Sequence, residues 1–393
     1  MNSKTDKKIF LVTIIFLGLG IALVITASIL ANVKLNQKAP NLLQLNTATV
    51  TDAMLLAEAE EPAVYTSEEV TESATQEFTI NMNFVGDLLL ATDEYTSYEN
   101  CFNDVADSVE PDYFLSQVSD IFLNDDITVG DCENVFSDSD GLTVSDKGQY
   151  DATEEDDFLA FWFKSKASNA NIISAGGVDI VSIDNNHIND YGQQGKEDTK
   201  AALEAAGVEW GNSGQTVYRE VNGFKIAFIF GSMYYSTQEE DILENLNEAK
   251  EQSDYQIVYF HGGTEAVHEA EEWKIAACHD LVDNGADLIL GDHPHVLQPM
   301  EEYNGAYIVY SLGNFCFGGN RHPENRTIIF NETLTITNDT VTGTYEVTGK
   351  TYDITPCYVY TGDTNNWQPA IIEDEETKNK VLDFMQGLTD SPL

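Results

Sequence analysis

The chain has 393 residues and carries 19 Lys+Arg against 67 Asp+Glu, a formal net charge of −48. That balance argues against DNA, RNA or anionic lipid as a partner, because each needs a basic face. Apolar residues make up 42% of the chain, enough for a globular core, and the five cysteines are scattered without a CxxC pair, which argues against a structural cysteine–zinc site.

In chain order, residues 1–8 (MNSKTDKK) carry Lys4, Lys7 and Lys8 and predict a cytoplasmic tip. Residues 9–31 (IFLVTIIFLGLGIALVITASILA) are uninterrupted by charge. At about 1.5 Å per residue they reach across a hydrocarbon layer about 30 Å thick, which predicts an uncleaved membrane anchor. The alternative is a cleaved signal peptide, whose apolar core usually spans about 7–15 residues. Residues 32–77 are acidic, threonine-rich and poor in large apolar side chains, and read as a disordered tether. The predicted result is a single-pass protein of the cell membrane with its domain outside.

From Phe78 the pattern changes. FTINMNFVGDLLL reads as a first core strand. Four later runs share one form, apolar and then polar: VDIVSIDNNH, YQIVYFHGG, ADLILGDHPH and AYIVYSLGNF. Such runs predict strands buried on both faces. Helices are expected over 193–206, closed by Gly207, and over 266–284, closed by Gly285. Strand–helix alternation predicts a layered α/β domain over 78–330. Beyond it, 331–393 is expected to supply antiparallel strands and a tail that complete the domain.

Ligands of layered α/β folds bind beyond the carboxyl ends of the strands. The residues predicted at those ends are Asp87, Asn186, His187, His261, His293 and His295, which include four of the seven histidines. Imidazole and carboxylate together suit a divalent ion such as Mn, Zn or Fe. Each residue also has a plainer reading. Asp87 can cap a turn, Glu133 can be a solvated loop acid, Asn186 and His187 can form an Asx turn, and His293 and His295 can flank a surface turn. His268 and His279 fall on the predicted helix 266–284, where packing or solvent suffices. Two of the three arginines, Arg321 and Arg326, lie in GGNRHPENR. Their guanidinium groups suit capture of a carboxylate or phosphate, and a plain surface loop is the alternative.

Taken together, GD at 86–87, Glu133, NNHxxDYG at 185–192, HGG at 261–263, GDHPHVLQ at 291–298 and YSLGNF at 310–315 resemble the CapA family of capsule and poly-γ-glutamate synthesis proteins, within the calcineurin-like metallophosphatase superfamily. The resemblance implies a four-layer α/β/β/α sandwich with a two-metal site. It assigns Asp87 and His295 to one ion, Asn186, His261 and His293 to the other, and Glu133 to a bridge between them. It also makes His187 the general acid, oriented by Asp190. Four departures stand out. The superfamily's D-x-H is Asp87-Leu88-Leu89, NLE is DCE, HWG is HGG, and GHHPH is GDHPH.

Two functions follow as expectations. One is a surface-tethered, metal-dependent hydrolase or transferase acting on a phosphoester or on an amide of an extracellular polymer, with an anionic extracellular polymer or its precursor as partner. The other is a non-catalytic accessory subunit that binds metal or polymer beside membrane polymer-synthase subunits. The retained His187 favours the first, and the missing D-x-H histidine favours the second.

Overall fold

The computed structural model describes residues 74–147 and 160–393. The expected cytoplasmic tip, the 9–31 anchor and the tether up to residue 73 lie outside the described residues. Among the described residues no helix is long and apolar enough to cross a membrane.

The fold is mixed α/β, built around two large sheets. In the eight-stranded sheet, Thr75–Leu89 runs parallel to Ile127–Cys132, which continues in parallel to Ile180–Ser182 and Glu209–Gly211. On its other side Thr75–Leu89 pairs antiparallel with Thr327–Asp339, followed by Thr344–Tyr358 and Ala370–Ile371. Asn314–Phe317 adds a short parallel pairing at the end of the first strand. The six-stranded sheet runs in the order Leu297–Tyr303, Ala306–Leu312, Leu288–Asp292, Tyr255–His261, Phe224–Ser232 and Val217–Val221. All seven residues of YQIVYFH are buried, as expected for a strand covered on both faces.

Among the described residues a small apolar cluster gathers Leu89, Ala91, Phe163, Phe317 and Val359, and three large ones organise the packing. One joins Ile80, Met82 and Phe84 of the first sheet to Phe228, Tyr259 and Leu290 of the second. Burying each such side chain stabilises the fold by about 1.5–3 kcal/mol. On the opposite face of the first sheet, Val85, Val181 and Ile183 meet Phe114, Phe122 and Leu203. On the opposite face of the second, Ile229, Val258 and Ile289 meet Leu246 of helix Glu239–Lys250 and Leu281 of helix Glu272–Asp283.

Several boundaries differ from the sequence expectation. The first strand already begins at Thr75, inside the segment read as tether, because the long partner strand extends to pair Thr75 with Asp339. The helix expected over 266–284 begins only at Glu272. Ala266 adopts φ 57, and the residues before the helix bond to the neighbouring 292–298 segment instead of to each other. His268 therefore lies in a loop, with Nδ1 2.8 Å from the Leu297 carbonyl. Residues 331–393 hold a helix as well as strands: Glu375–Met385 starts at Asp374, whose carboxylate accepts from Thr377 N at 3.0 Å. Helix 192–206 ends at Gly207, where φ is 78. All five cysteines are buried and unpaired.

Candidate metal centre

Parallel register brings the polar strand ends together. Asp87 pairs in register with Asp131, and His261 with Asp292. The second segment of the centre is drawn in by Gly86. A Cβ there would stand 1.8 Å from the Gly313 carbonyl oxygen, which accepts from Asp87 N at 3.2 Å. Only glycine allows that approach, and it places Asn314 beside the site. Gly262 has the same role in HGG, because a Cβ there would stand 1.8 Å from the Met233 carbonyl oxygen. A tryptophan cannot occupy that position in this backbone. The aromatic surface comes instead from Tyr234, whose ring lies 5.1 Å from that of His293.

His293 and His295 flank Pro294 with φ values of 91 and 59. Left-handed backbone at two non-glycine residues is costly, about 1–3 kcal/mol each, and such strain concentrates at functional sites. The turn aims the two rings in different directions. His295 Nδ1 lies 2.9 Å from Asp87 Oδ2 and 2.9 Å from Asn314 Oδ1. His293 Nδ1 lies 3.0 Å from His261 Nε2.

His261 is wholly buried. Its Nδ1 lies 2.8 Å from Asp292 Oδ1, and Asp292 also accepts from the Tyr259 hydroxyl at 2.9 Å. A proton on Nδ1 leaves the Nε2 lone pair facing inward. Around that lone pair stand Asn186 Oδ1 at 2.8 Å, His293 Nδ1 at 3.0 Å and Glu133 Oε1 at 3.6 Å. One nitrogen without a proton cannot bond all three. Donors about 2 Å from a common ion lie at such separations from one another. Both oxygens of the fully buried Glu133 carboxylate lack any hydrogen-bond partner. Unpaired buried carboxylate oxygens are expensive, and a cation is the natural remedy. The buried acids and histidines thus form a cluster that could hold a metal ion, and the donor set fits one.

The electrostatics agree. Burial, and then the neighbouring Asp87 charge, hold Glu133 and Asp292 well above the usual carboxylate range. Asp131 is raised by burial and then by Asp292. Burial lowers His261 and His293; it pulls on His295 in the same direction, but there the hydrogen bond to Asp87, the charges of Asp87 and Glu265 and the contact with Asn314 together outweigh it and raise the ring. A bound cation inverts that logic and holds the carboxylates charged.

Of the ten residues singled out from the sequence, nine gather here or at the rim. Asp87, Glu133 and His295 bring ligand atoms within 4.8 Å of one another, and so do Glu133, His261 and His293. Glu133 belongs to both sets. Asn186 faces the second through its 2.8 Å contact with His261. His187 Nε2 lies 3.9 Å from Glu133 Oε1, and its Nδ1 lies 2.8 Å from Asp190 Oδ2. Burial lowers His187 to about 4, so its ring is neutral at pH 7. Arg321 lines a cavity of about 370 Å³ together with His187, His295, Tyr98 and Phe163. Arg326 departs from its expected place. Its guanidinium lies over the Tyr358 ring at 5.1 Å and donates to the Asn325 carbonyl at 2.6 Å, and it does not line that cavity.

Four contributors escaped the sequence reading. Asp131 joins Asp87, His261 and Asp292 in a fully buried group and accepts from Asn185 Nδ2 at 3.1 Å. Its signal was the GD of GDCE, a second GD at a strand end. Lys147 pairs with Asp190 at 2.5 Å across 43 positions, and no local pattern announces it. Asn314 and Glu265 also escaped, although both lie in segments already quoted or next to them.

A family model described as bacterial capsule synthesis protein PGA_cap matches residues 81–319. The chain is 27% identical to the capsule biosynthesis protein CapA of Bacillus anthracis, over 61% of this chain and 60% of that one. It is 26% identical to the PGA biosynthesis protein CapA of Bacillus subtilis, over 77% of this chain and 76% of that one. A solved crystal structure, of a novel phosphatase from Mycoplasma pneumoniae, aligns with a TM-score of 0.37 at 14% identity, covering 71% of this chain and 95% of that one.

Proposed function

The chain belongs to the bacterial capsule synthesis protein PGA_cap family, and from that premise we propose that it is a membrane-anchored, extracellular, metal-dependent hydrolase or transferase of capsule or poly-γ-glutamate synthesis. We read its layers as the α/β/β/α sandwich of metallophosphatases. The observation that carries the reading is Glu133, buried and unpartnered between two donor sets. In one, Asp87 and His295 stand beside it; in the other, Asn186, His261 and His293. Divalent ions held there would activate a water and steady the oxygens of the displaced group.

The rest is done by the chain's own side chains. Asp292 fixes the His261 tautomer so that Nε2 faces the centre. Asp190 holds the His187 ring, and Lys147 balances the Asp190 charge. His187 takes up a proton as an anionic substrate binds and delivers it to the leaving group. Arg321, stacked 5.5 Å over Tyr98, anchors a carboxylate of the polymer at the cavity wall.

A second reading is favoured by one observation. Leu88 and Leu89, both fully buried, follow Asp87 and offer no further donor. A centre with one weak ion suits a non-catalytic accessory subunit of a membrane polymer synthase. The deciding experiment measures bound metal in the purified full chain and assays phosphodiester and γ-glutamyl hydrolysis with and without His187→Ala. Metal with His187-dependent turnover supports the enzyme. Metal with no such turnover supports the accessory role, and no metal ends the metal-dependent reading.

A further inference from the structure

We infer that Glu265 is a further ligand of this centre, presented by the loop after Tyr255–His261 to the ion that Asp87, Glu133 and His295 would hold. The inference rests on the metal-dependent reading above. The Glu265 carboxylate and the ring nitrogens of His293 and His295 lie within 4.8 Å of one another. His261 Nε2 and the three donors around it, from Asn186, His293 and Glu133, already make a set of four. The Asp87, Glu133 and His295 set has three, and divalent ions take four or more.

The backbone around Glu265 is fixed along the histidine turn. Gly262 N donates to the Asp292 carbonyl at 3.0 Å, and Ala266 N donates to the Pro294 carbonyl at 2.9 Å. The Gln298 amide donates to the Val267 carbonyl at 2.8 Å. Gly263 at φ 109 and Ala266 at φ 57 fold the chain back between those bonds. These bonds tie the loop to the histidine turn and keep Glu265 beside His293 and His295. On the cavity wall that Leu89, His187, His295 and Phe317 share, Glu265 is the acidic side chain. Leu89 gives that wall no donor.

Glu265 differs from the other acids because it is exposed. An exposed carboxylate would be free to give way to an anionic substrate at such an ion. It also makes the two positions unlike. Three carboxylates and one imidazole favour a harder ion such as Mn²⁺, whereas two imidazoles, an amide and a carboxylate favour Zn²⁺ or Fe²⁺.

Calorimetric titration of the metal-stripped full chain with Mn²⁺ tests this, comparing wild type with Glu265→Gln and Glu265→Asp. The expected result is that Glu265→Gln loses one binding step or weakens it about tenfold or more, that Glu265→Asp lies between, and that thermal unfolding of the stripped proteins is unchanged. Unaltered number and affinity of Mn²⁺ steps in Glu265→Gln would overturn the inference and leave the metal-dependent reading standing. A wild type that binds no Mn²⁺, Zn²⁺ or Fe²⁺ overturns both.

Discussion

Glu133 Oε1 lies 3.6 Å from His261 Nε2, yet neither oxygen of that carboxylate has a hydrogen-bond partner. An acid in this position destabilises the metal-free fold, and a bound cation would offset that cost. The folded protein holds the Glu133 proton more tightly than the unfolded chain does, because burial and Asp87 raise it. The folded state therefore binds more protons above the ordinary Glu range, and stability falls as pH rises there. In chelator at pH 8, Glu133→Gln should melt several degrees above wild type. With a saturating divalent ion the order should reverse, because ligand binding stabilises only the protein that holds it. Equal melting temperatures under both conditions would remove Glu133 from the metal centre.

Asp292 acts through His261. Its carboxylate bonds Nδ1 at 2.8 Å and so selects which nitrogen keeps the lone pair. Loss of such an orienting partner typically costs about 10–100-fold in metal affinity. Asp292→Asn should weaken metal binding in that range without emptying the site. Tyr259→Phe should do less, since Tyr259 only holds the far oxygen of Asp292. Competition with a chelator of known affinity would rank the three proteins, and no difference between wild type and Asp292→Asn would contradict the tautomer argument.

His187 stands apart from the ligands in what it should change. Removing a general acid typically costs about 10²–10⁴-fold in rate. His187→Ala should show that loss while retaining wild-type metal content. Lys147→Ala should mainly shift the pH profile. The ammonium lies 2.5 Å from Asp190 and 3.2 Å from His187 Nδ1, and its positive charge lowers His187. Its loss should therefore move the His187 limb of the profile to higher pH, as read from the pH dependence of kcat/KM.

The strand-end residues were legible because each apolar run stops at a polar residue, and parallel pairing must then bring those stops together. Asn186, His261 and His293 follow from that rule, whereas Asp87 sits inside its strand, ahead of the buried Leu88 and Leu89, and is brought in by its register with Asp131. What escaped was set by contacts distant in sequence. Lys147 reaches Asp190 from a loop with no pattern of its own. The segment TEAVHEAEE has good helix formers, but its backbone finds partners along 292–298, and the helix waits until Glu272. The helix Glu375–Met385 carries a local signal in Asp374 as cap and in Val381, Phe384 and Met385 on one face, within the stretch expected to hold strands and a tail. Arg326 shares its loop with Arg321, but Tyr358 captures it, and Tyr358 lies on a strand that sequence spacing could not place beside it.

The two arginines separate cleanly as a prediction. Arg321→Ala should weaken binding of a short γ-glutamyl oligomer by about tenfold, the worth of a charged hydrogen bond. Arg321→Lys should recover only part of it, because a lysine lacks the planar fork. Arg326→Ala should leave binding unchanged and instead lower stability through its lost packing on Tyr358. Fluorescence titration and thermal unfolding of the three variants would show the division. Equal loss of binding in both alanine variants would mean general charge attraction and not a site.

Glu332 gives a test of the fold that does not involve the metal centre. It is fully buried between the sheets, where its Oε2 accepts from the Tyr255 hydroxyl at 3.0 Å and its Oε1 has no partner. Burial raises it from 4.5 to about 8, with Lys350 pulling the other way. In the unfolded chain it titrates near 4.5, so between about pH 4.5 and pH 8 the folded state holds a proton that the unfolded state has released. Stability from this group is full below pH 4.5 and is lost as pH rises towards 8, each unit costing about 1.4 kcal/mol. Glu332→Gln keeps an acceptor for Tyr255 and cannot ionise. The variant should match wild type near pH 4.5 and melt several degrees higher at pH 8. Parallel melting curves at both pH values would mean that Glu332 stays charged in the fold, with Lys350 outweighing its burial.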